Sequence, residues 1–294
     1  MIVGGIPLLF GGKKILTPSK YIAVAHDTTP FITAYNWSSS GFGSKFTNPA
    51  TLPPDRSSDV AFSPSGTQIA ITQDSSDPNI TAYPWSSGGF GTKFANPSPA
   101  ITSGANATGV AFSPTGAAIV ISLYYTPHIA AYAWSSSGFG TKYSNPATLP
   151  AGYAGAPAFS PTGTEIALGH DISPYISAYA WTDGSGFGTK FSNPATLPGS
   201  TGYNAAFSPD GTEIAVATYG SPYITAYPWS SSGFGTKFTN PATLPTSNGY
   251  SVDFSPDGTA VALAVYSSPR IVVYAWGSSG FGTKYTDPAT IPTG

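Results

Sequence analysis

Two adjacent His-Asp pairs, His26-Asp27 and His170-Asp171, are the nearest this sequence comes to a catalytic or metal-binding motif. An imidazole beside a carboxylate suggests a proton relay or two ligands of a zinc or iron ion. Such a metal site needs three or four converging donors, and strand neighbours point to opposite sides. The third histidine, His128, stands elsewhere in its loop. Glu165 and Glu213, the only glutamates, each follow a Ser-Pro-x-Gly turn and read as solvated strand-start residues, not a paired acid and base. There is no calcium-loop pattern and no Gly-x-Ser-x-Gly nucleophile motif. With no cysteine, disulfides and thiolate metal sites are excluded. These residues predict a protein that is not an enzyme and that uses no cofactor.

The elements that position these groups are set by a repeat. The six tryptophans, Trp37, Trp85, Trp134, Trp181, Trp229 and Trp276, follow one another at steps of 47–49 residues. Around each lies nearly the same text, as in Ala206-Phe207-Ser208-Pro209-Asp210-Gly211 followed by Tyr227-Pro228-Trp229 and Gly233-Phe234-Gly235-Thr236-Lys237. Each unit reads as four short strands. The first ends at the Phe of Phe-Ser-Pro, and Ser-Pro-x-Gly then makes a hairpin turn of type I with a bulge. The second is a continuous apolar run such as Ile214–Ala217, which fits a strand covered on both faces. The third reads as alternating, Tyr223, Thr225, Tyr227 and Trp229 against Ile224, Ala226 and Pro228. The fourth carries Gly-Phe-Gly-Thr-Lys and ends at prolines, as an outer edge does. No stretch has a sustained helical period. Six such units predict an all-β, six-bladed β-propeller with four antiparallel strands per blade.

The expected organisation is an N-terminal arm, 1–12, and a propeller, 13–294, with units near 13–56, 57–105, 106–153, 154–201, 202–248 and 249–294. The inner-strand text and Tyr-Pro-Trp resemble WD40-like propeller repeats, although no Trp is followed by Asp and no Gly-His pair opens a unit. Residues 222–237, Pro-Tyr-Ile-Thr-Ala-Tyr-Pro-Trp-Ser-Ser-Ser-Gly-Phe-Gly-Thr-Lys, are similar to repeats in propeller proteins of marine tailed bacteriophages. That likeness implies a non-enzymatic structural or binding protein at a virion or other extracellular surface.

Comparing the six units divides their loops into two sets. The turns after the first and third strands barely vary, whereas the second-to-third loops and the fourth-to-first connections do. The variable set contributes His26, Asp27, Arg56, Tyr124, Tyr125, His128, Tyr153, His170, Asp171, Tyr175, Tyr203, Tyr219, Tyr223, Tyr250, Tyr266 and Arg270. Tyrosine gives large contact area with a polar tip at low entropic cost. This face is expected to bind a host or virion partner, protein or glycan; drift in tolerant loops is the competing reading. A lectin with aromatic-lined sites is the alternative function, and a hydrolase in a central channel is a weaker one. Ile2, Val3, Ile6, Leu8, Leu9 and Phe10 make the arm apolar; it either clasps the ring or docks on a virion component. It is too short to span a bilayer and lacks a signal-peptide pattern, so no membrane insertion is expected. A net charge of -2 with 8% charged residues offers no basis for binding nucleic acid. Lys45, Lys93, Lys142, Lys190, Lys237 and Lys284 recur once per unit on the outer strand, where lysine discourages edge pairing. The tryptophans are expected to pack between blades.

Overall fold

Every described strand belongs to a short antiparallel sheet that recurs once per tryptophan. The computed structural model describes residues 20–74, 77–101 and 104–290. The arm 1–12 and the expected first strand near Lys14-Ile15-Leu16 lie outside them. The fold is the expected all-β six-bladed propeller class, and the described residues contain no helix. Five blades have four strands in sequence order; three strands are described in the first blade. The described chain forms two compact units, one holding blades 1–3 with Asp183–Gly186, the other blades 4–6.

Blade 5 shows how the sequence builds one sheet. Gly202–Phe207, Glu213–Thr218, Ile224–Ser230 and Gly233–Phe234 pair in that order. In the Ser-Pro-x-Gly turn, Gly211 takes φ 74° and its N–H donates to the Ser208 carbonyl at 2.9 Å. The same left-handed glycine occurs at Gly66, Gly116, Gly163 and Gly258, as the bulged type I turn requires. The second strands are buried throughout in blades 2 and 3, Gln68–Gln73 and Ala118–Leu123.

Two strand expectations need correction. In blades 2 to 5 the third strand does not alternate between core and solvent, as Ile224, Thr225, Ala226 and Tyr227, all buried, show; in blades 1 and 6 buried and half-buried residues do alternate. In blades 2 to 5 both of its faces are covered, so an apolar/polar rhythm in the text does not translate into exposure. The fourth strand is also not uniform. It runs five residues in blades 3, 4 and 6 but only two in blades 2 and 5, Gly89–Phe90 and Gly233–Phe234. Those two blades carry Pro84 and Pro228 on the neighbouring third strand, where the others have Asn or Ala. Proline offers no N–H to the ladder, so pairing stops there.

The core lies between consecutive blades. Trp85, Trp134, Trp229 and Trp276 each sit edge-to-face among phenylalanines from three chain positions. Trp229 contacts Phe207 from its own first strand at 5.3 Å and Phe234 from its own fourth strand at 4.9 Å. Its third neighbour, Phe191 at 5.0 Å, comes from the end of blade 4. Trp134 has Phe112, Phe139 and Phe94 in the same roles, and Trp276 has Phe254, Phe281 and Phe238. Edge-to-face pairs add stabilisation beyond area burial. A second link joins the same blades. The hydroxyls of Tyr83, Tyr132, Tyr227 and Tyr274 donate to carbonyls of Thr51, Pro99, Thr196 and Thr243 in the preceding blade, at 2.6–2.9 Å. Burial pushes the Tyr132 phenol up to about 12, so it stays a donor at any ordinary pH. Removing the Trp229 ring empties a site shared by two blades; Trp229→Ala is expected to lower unfolding free energy by about 3–5 kcal/mol in denaturant titration.

Candidate functional site: the variable loop face

The second-to-third loops differ in side chains yet close on the same turn, the blade 2 loop being one residue longer than the others. Each contains a cis peptide bond before its proline, from Thr29-Pro30 in blade 1 to Ser268-Pro269 in blade 6. The next residue is left-handed in all six: Phe31, Asn79, His128, Tyr175, Tyr223 and Arg270, with φ between 64° and 71°. Its carbonyl accepts from the end of the second strand, as in His170 N–H to Tyr175 O at 3.0 Å and Val265 N–H to Arg270 O at 2.9 Å. A proline in cis at the third turn position defines a type VI turn. The loop is a rigid frame carrying interchangeable side chains.

In blades 2 to 6 the fourth-to-first connection lies beside this loop. Asp171 N–H donates to Tyr153 O, Tyr124 N–H to Asn106 O, Tyr219 N–H to Thr201 O and Tyr266 N–H to Asn248 O, at 2.8–3.2 Å. Arg56 is tied across the same pair of segments by an ion pair with Asp74. Asp27 is exposed, while Tyr153, Tyr175 and Tyr223 are half-buried. Tyr124 and Tyr125 stack edge-to-face at 4.8 Å, 41% and 54% exposed. His128 Nε2 lies 3.3 Å from Thr126 Oγ1.

The two other histidines do structural work. His170 is fully buried, so it does not belong to the displayed surface on which the sequence reading put it. Its Nδ1 lies 2.7 Å from the Ile172 carbonyl, which can only accept, so Nδ1 carries the proton and Nε2 accepts from Ser177 Oγ at 3.0 Å. His26 Nε2 meets Thr33 Oγ1 at 2.8 Å in the equivalent place. In blade 2 the pair is Gln73 with Thr81, bonded at 3.1 Å. Blades 3 and 6 hold Leu123 with Ala130 and Val265 with Val272 there. In these five blades polar is matched by polar and apolar by apolar, because a buried polar group without a partner is costly; blade 5 departs, with the Thr218 hydroxyl donating to Gly220 O and the buried Thr225 hydroxyl unpaired. His26 and His170 thus meet local hydroxyls rather than each other, and among the described residues no three His, Asp or Glu side chains converge to hold a metal ion.

The repeated lysines are also tethered locally. Lys190 Nζ donates to Asn193 Oδ1 at 2.6 Å, and Lys93, Lys237 and Lys284 reach Asn96, Asn240 and Asp287 in the same way. Burial lowers the pKa of Lys93, Lys190 and Lys237.

Two ionisable residues, Asp59 and Asp253, escaped the sequence reading; burial pushes both carboxyls up to about 7. Asp59, on the first strand of blade 2, is buried and accepts from its neighbour Val60 N–H at 2.8 Å and from Val110 N–H of blade 3 at 2.9 Å. Asn204 makes the same inter-blade bond to Val252 N–H at 3.0 Å. Burial pushes the Asp59 carboxyl up to about 7, against the pull of its two backbone donors. The available signal for Asp59 was a lone Asp where other units have Gly, Ala, Asn or Ser.

A search against protein-family models found no match, and a search of curated proteins found none either.

Opposite pH trends follow for the two buried groups. Burial lowers the His170 pKa, with Lys190 pushing the same way and the Ile172 carbonyl opposing. The unfolded chain therefore takes up this proton first as pH falls below about 6.5. Stability should drop through that range, and His170→Gln should flatten the drop in thermal melts. For Asp59 the raised pKa means the unfolded chain ionises first, so stability declines between pH about 4 and about 7. Asp253, which burial also pushes up to about 7, adds a decline over the same range, so Asp59→Asn, which copies Asn204, should lessen the decline rather than abolish it and leave the variant more stable than wild type at pH 8.

Proposed function

We propose that this protein is a non-enzymatic binding propeller of a phage virion surface, whose variable loop face engages a host or virion partner. The observation that carries this reading is the contrast between frame and cargo. One loop length and backbone recur in five of the six blades, while the side chains range over Asp27, Tyr125, Ile172, Tyr219 and Tyr266. Loops free to drift would change length and backbone together; these five keep both and change what they present. Rigid display of aromatic side chains lowers the entropy lost on binding. The virion setting is supported by the likeness of residues 222–237 to phage propeller repeats. The apolar arm residues Ile2, Val3, Ile6, Leu8, Leu9 and Phe10 are proposed as the attachment to another virion protein.

The shared frame supplies the test. Replacing the second-to-third loops of blades 1, 3, 4 and 6 with the blade 5 sequence, Tyr219-Gly220-Ser221-Pro222-Tyr223, should leave the melting temperature close to wild type. Attachment to host cells or purified particles should fall at least tenfold. Unchanged attachment by a folded loop-exchanged protein would remove the loop face from the function.

A further inference from the structure

Across blades 5 and 6 the variable face carries an unbroken line of phenol rings. Tyr219 contacts Tyr203 at 6.1 Å between centroids, Tyr203 contacts Tyr250 at 5.1 Å, and Tyr250 contacts Tyr266 at 6.1 Å. Tyr219 and Tyr266 come from second-to-third loops and are 50% and 45% exposed. Tyr203 and Tyr250 are the second residues of their first strands and sit half-buried between them. None of the four hydroxyls is buried without a partner, and none bonds to another described residue. They are accessible donors and acceptors. Arg270 closes one end of the line, its guanidinium 5.9 Å from the Tyr266 ring centre and donating to the Tyr266 carbonyl. Away from Arg270, the Asp171 carboxylate acts through space on Tyr203, the ring next to Tyr219.

We propose that this row is a subsite for a linear oligosaccharide, with pyranose rings stacked along the tyrosines and a carboxylate-bearing sugar at Arg270. The proposal rests on reading the loop face as a binding surface and names its ligand class. A pyranose has an apolar face of C–H groups and a rim of hydroxyls; a phenol meets the first with its ring and the second with its tip. The rings follow one another at nearly even spacing, as the sugars of a chain do. A single-stranded nucleic acid also stacks on aromatics but needs cations along its backbone, and this row has Arg270 alone. The charge order, Arg270 beside Tyr266 and Asp171 acting on Tyr203, favours a chain whose acidic sugar lies on the Arg270 side. An extended proline-rich peptide is the main rival, since it too docks on aromatic rows.

The test measures binding of the full chain to immobilised linear tetra- to hexasaccharides, neutral and uronate-containing, beside a proline-rich peptide. Saturable binding to oligosaccharides is expected. Tyr219→Ala and Tyr266→Ala should each weaken it about tenfold, and Tyr219→Phe much less. Arg270→Asn, a residue that tolerates the left-handed backbone, should abolish the preference for uronate-containing chains while neutral chains still bind. Absence of oligosaccharide binding, indifference to both alanine variants, or capture of the peptide instead would overturn the proposal. If sugars fail while loop exchange still abolishes particle or cell attachment, this ligand class is wrong and the binding face stands. If loop exchange also changes nothing, both fall.

Discussion

Edge-to-face packing of one tryptophan against phenylalanines of two blades is the interaction on which the rest depends. Trp85, Trp134, Trp229 and Trp276 each take one ring from the preceding blade, Phe46, Phe94, Phe191 and Phe238. A four-stranded sheet has two apolar faces and cannot cover both by itself. The tryptophan side chain is large enough to reach the neighbouring blade and fixes which residues meet there. The Tyr–carbonyl bonds of the third strand then set the depth of contact, because a buried hydroxyl must find its acceptor. Close backbone approach completes the fit. A Cβ at Gly155 would sit 1.6 Å from the Tyr203 carbonyl oxygen, so blades 4 and 5 meet there only through glycine.

A packed interior of this kind releases the loop face from structural duty. The turn frame is held by main-chain bonds and by the buried pairs beneath it, His170 with Ser177 and Gln73 with Thr81. The side chains above make few such commitments: Tyr125, Ile172 and Tyr219 are half exposed or more. Selection for a partner can therefore change the display without disturbing the blades. The buried His170 and Asp59 belong to the opposite category. They respond to pH, but through stability rather than through recognition.

Much of the fold was readable because the repeat writes each element six times. The tryptophan phase, the Ser-Pro-x-Gly glycine and the apolar second strand all depend on local residue types, and all appear as expected. The third strand misled because its polar members, such as Thr225, are buried with the rest; periodicity reports chemistry, not cover. The short fourth strands of blades 2 and 5 were implicit in Pro84 and Pro228, one strand away from the effect. At the loop face, the constancy of proline was visible but the common turn behind it was not, since cis geometry and a left-handed Tyr175 or Arg270 leave no residue-type signature. His170 looked displayed because only a comparison of position pairs reveals its buried partner. The tyrosine row was out of reach, for Tyr203 and Tyr250 are 47 residues apart and meet only through blade packing.

The central claim is that interior and display are energetically separate. One measurement tests it directly: the melting temperature of a variant in which Tyr124, Tyr125, Ile172, Tyr219 and Tyr266 are all replaced by serine. Exposed substitutions away from structural contacts typically change stability by less than about 0.5 kcal/mol each, so the account predicts a melt within a few degrees of wild type. A collapse comparable to that from removing one buried tryptophan would show that these side chains help hold the blades, and would contradict it.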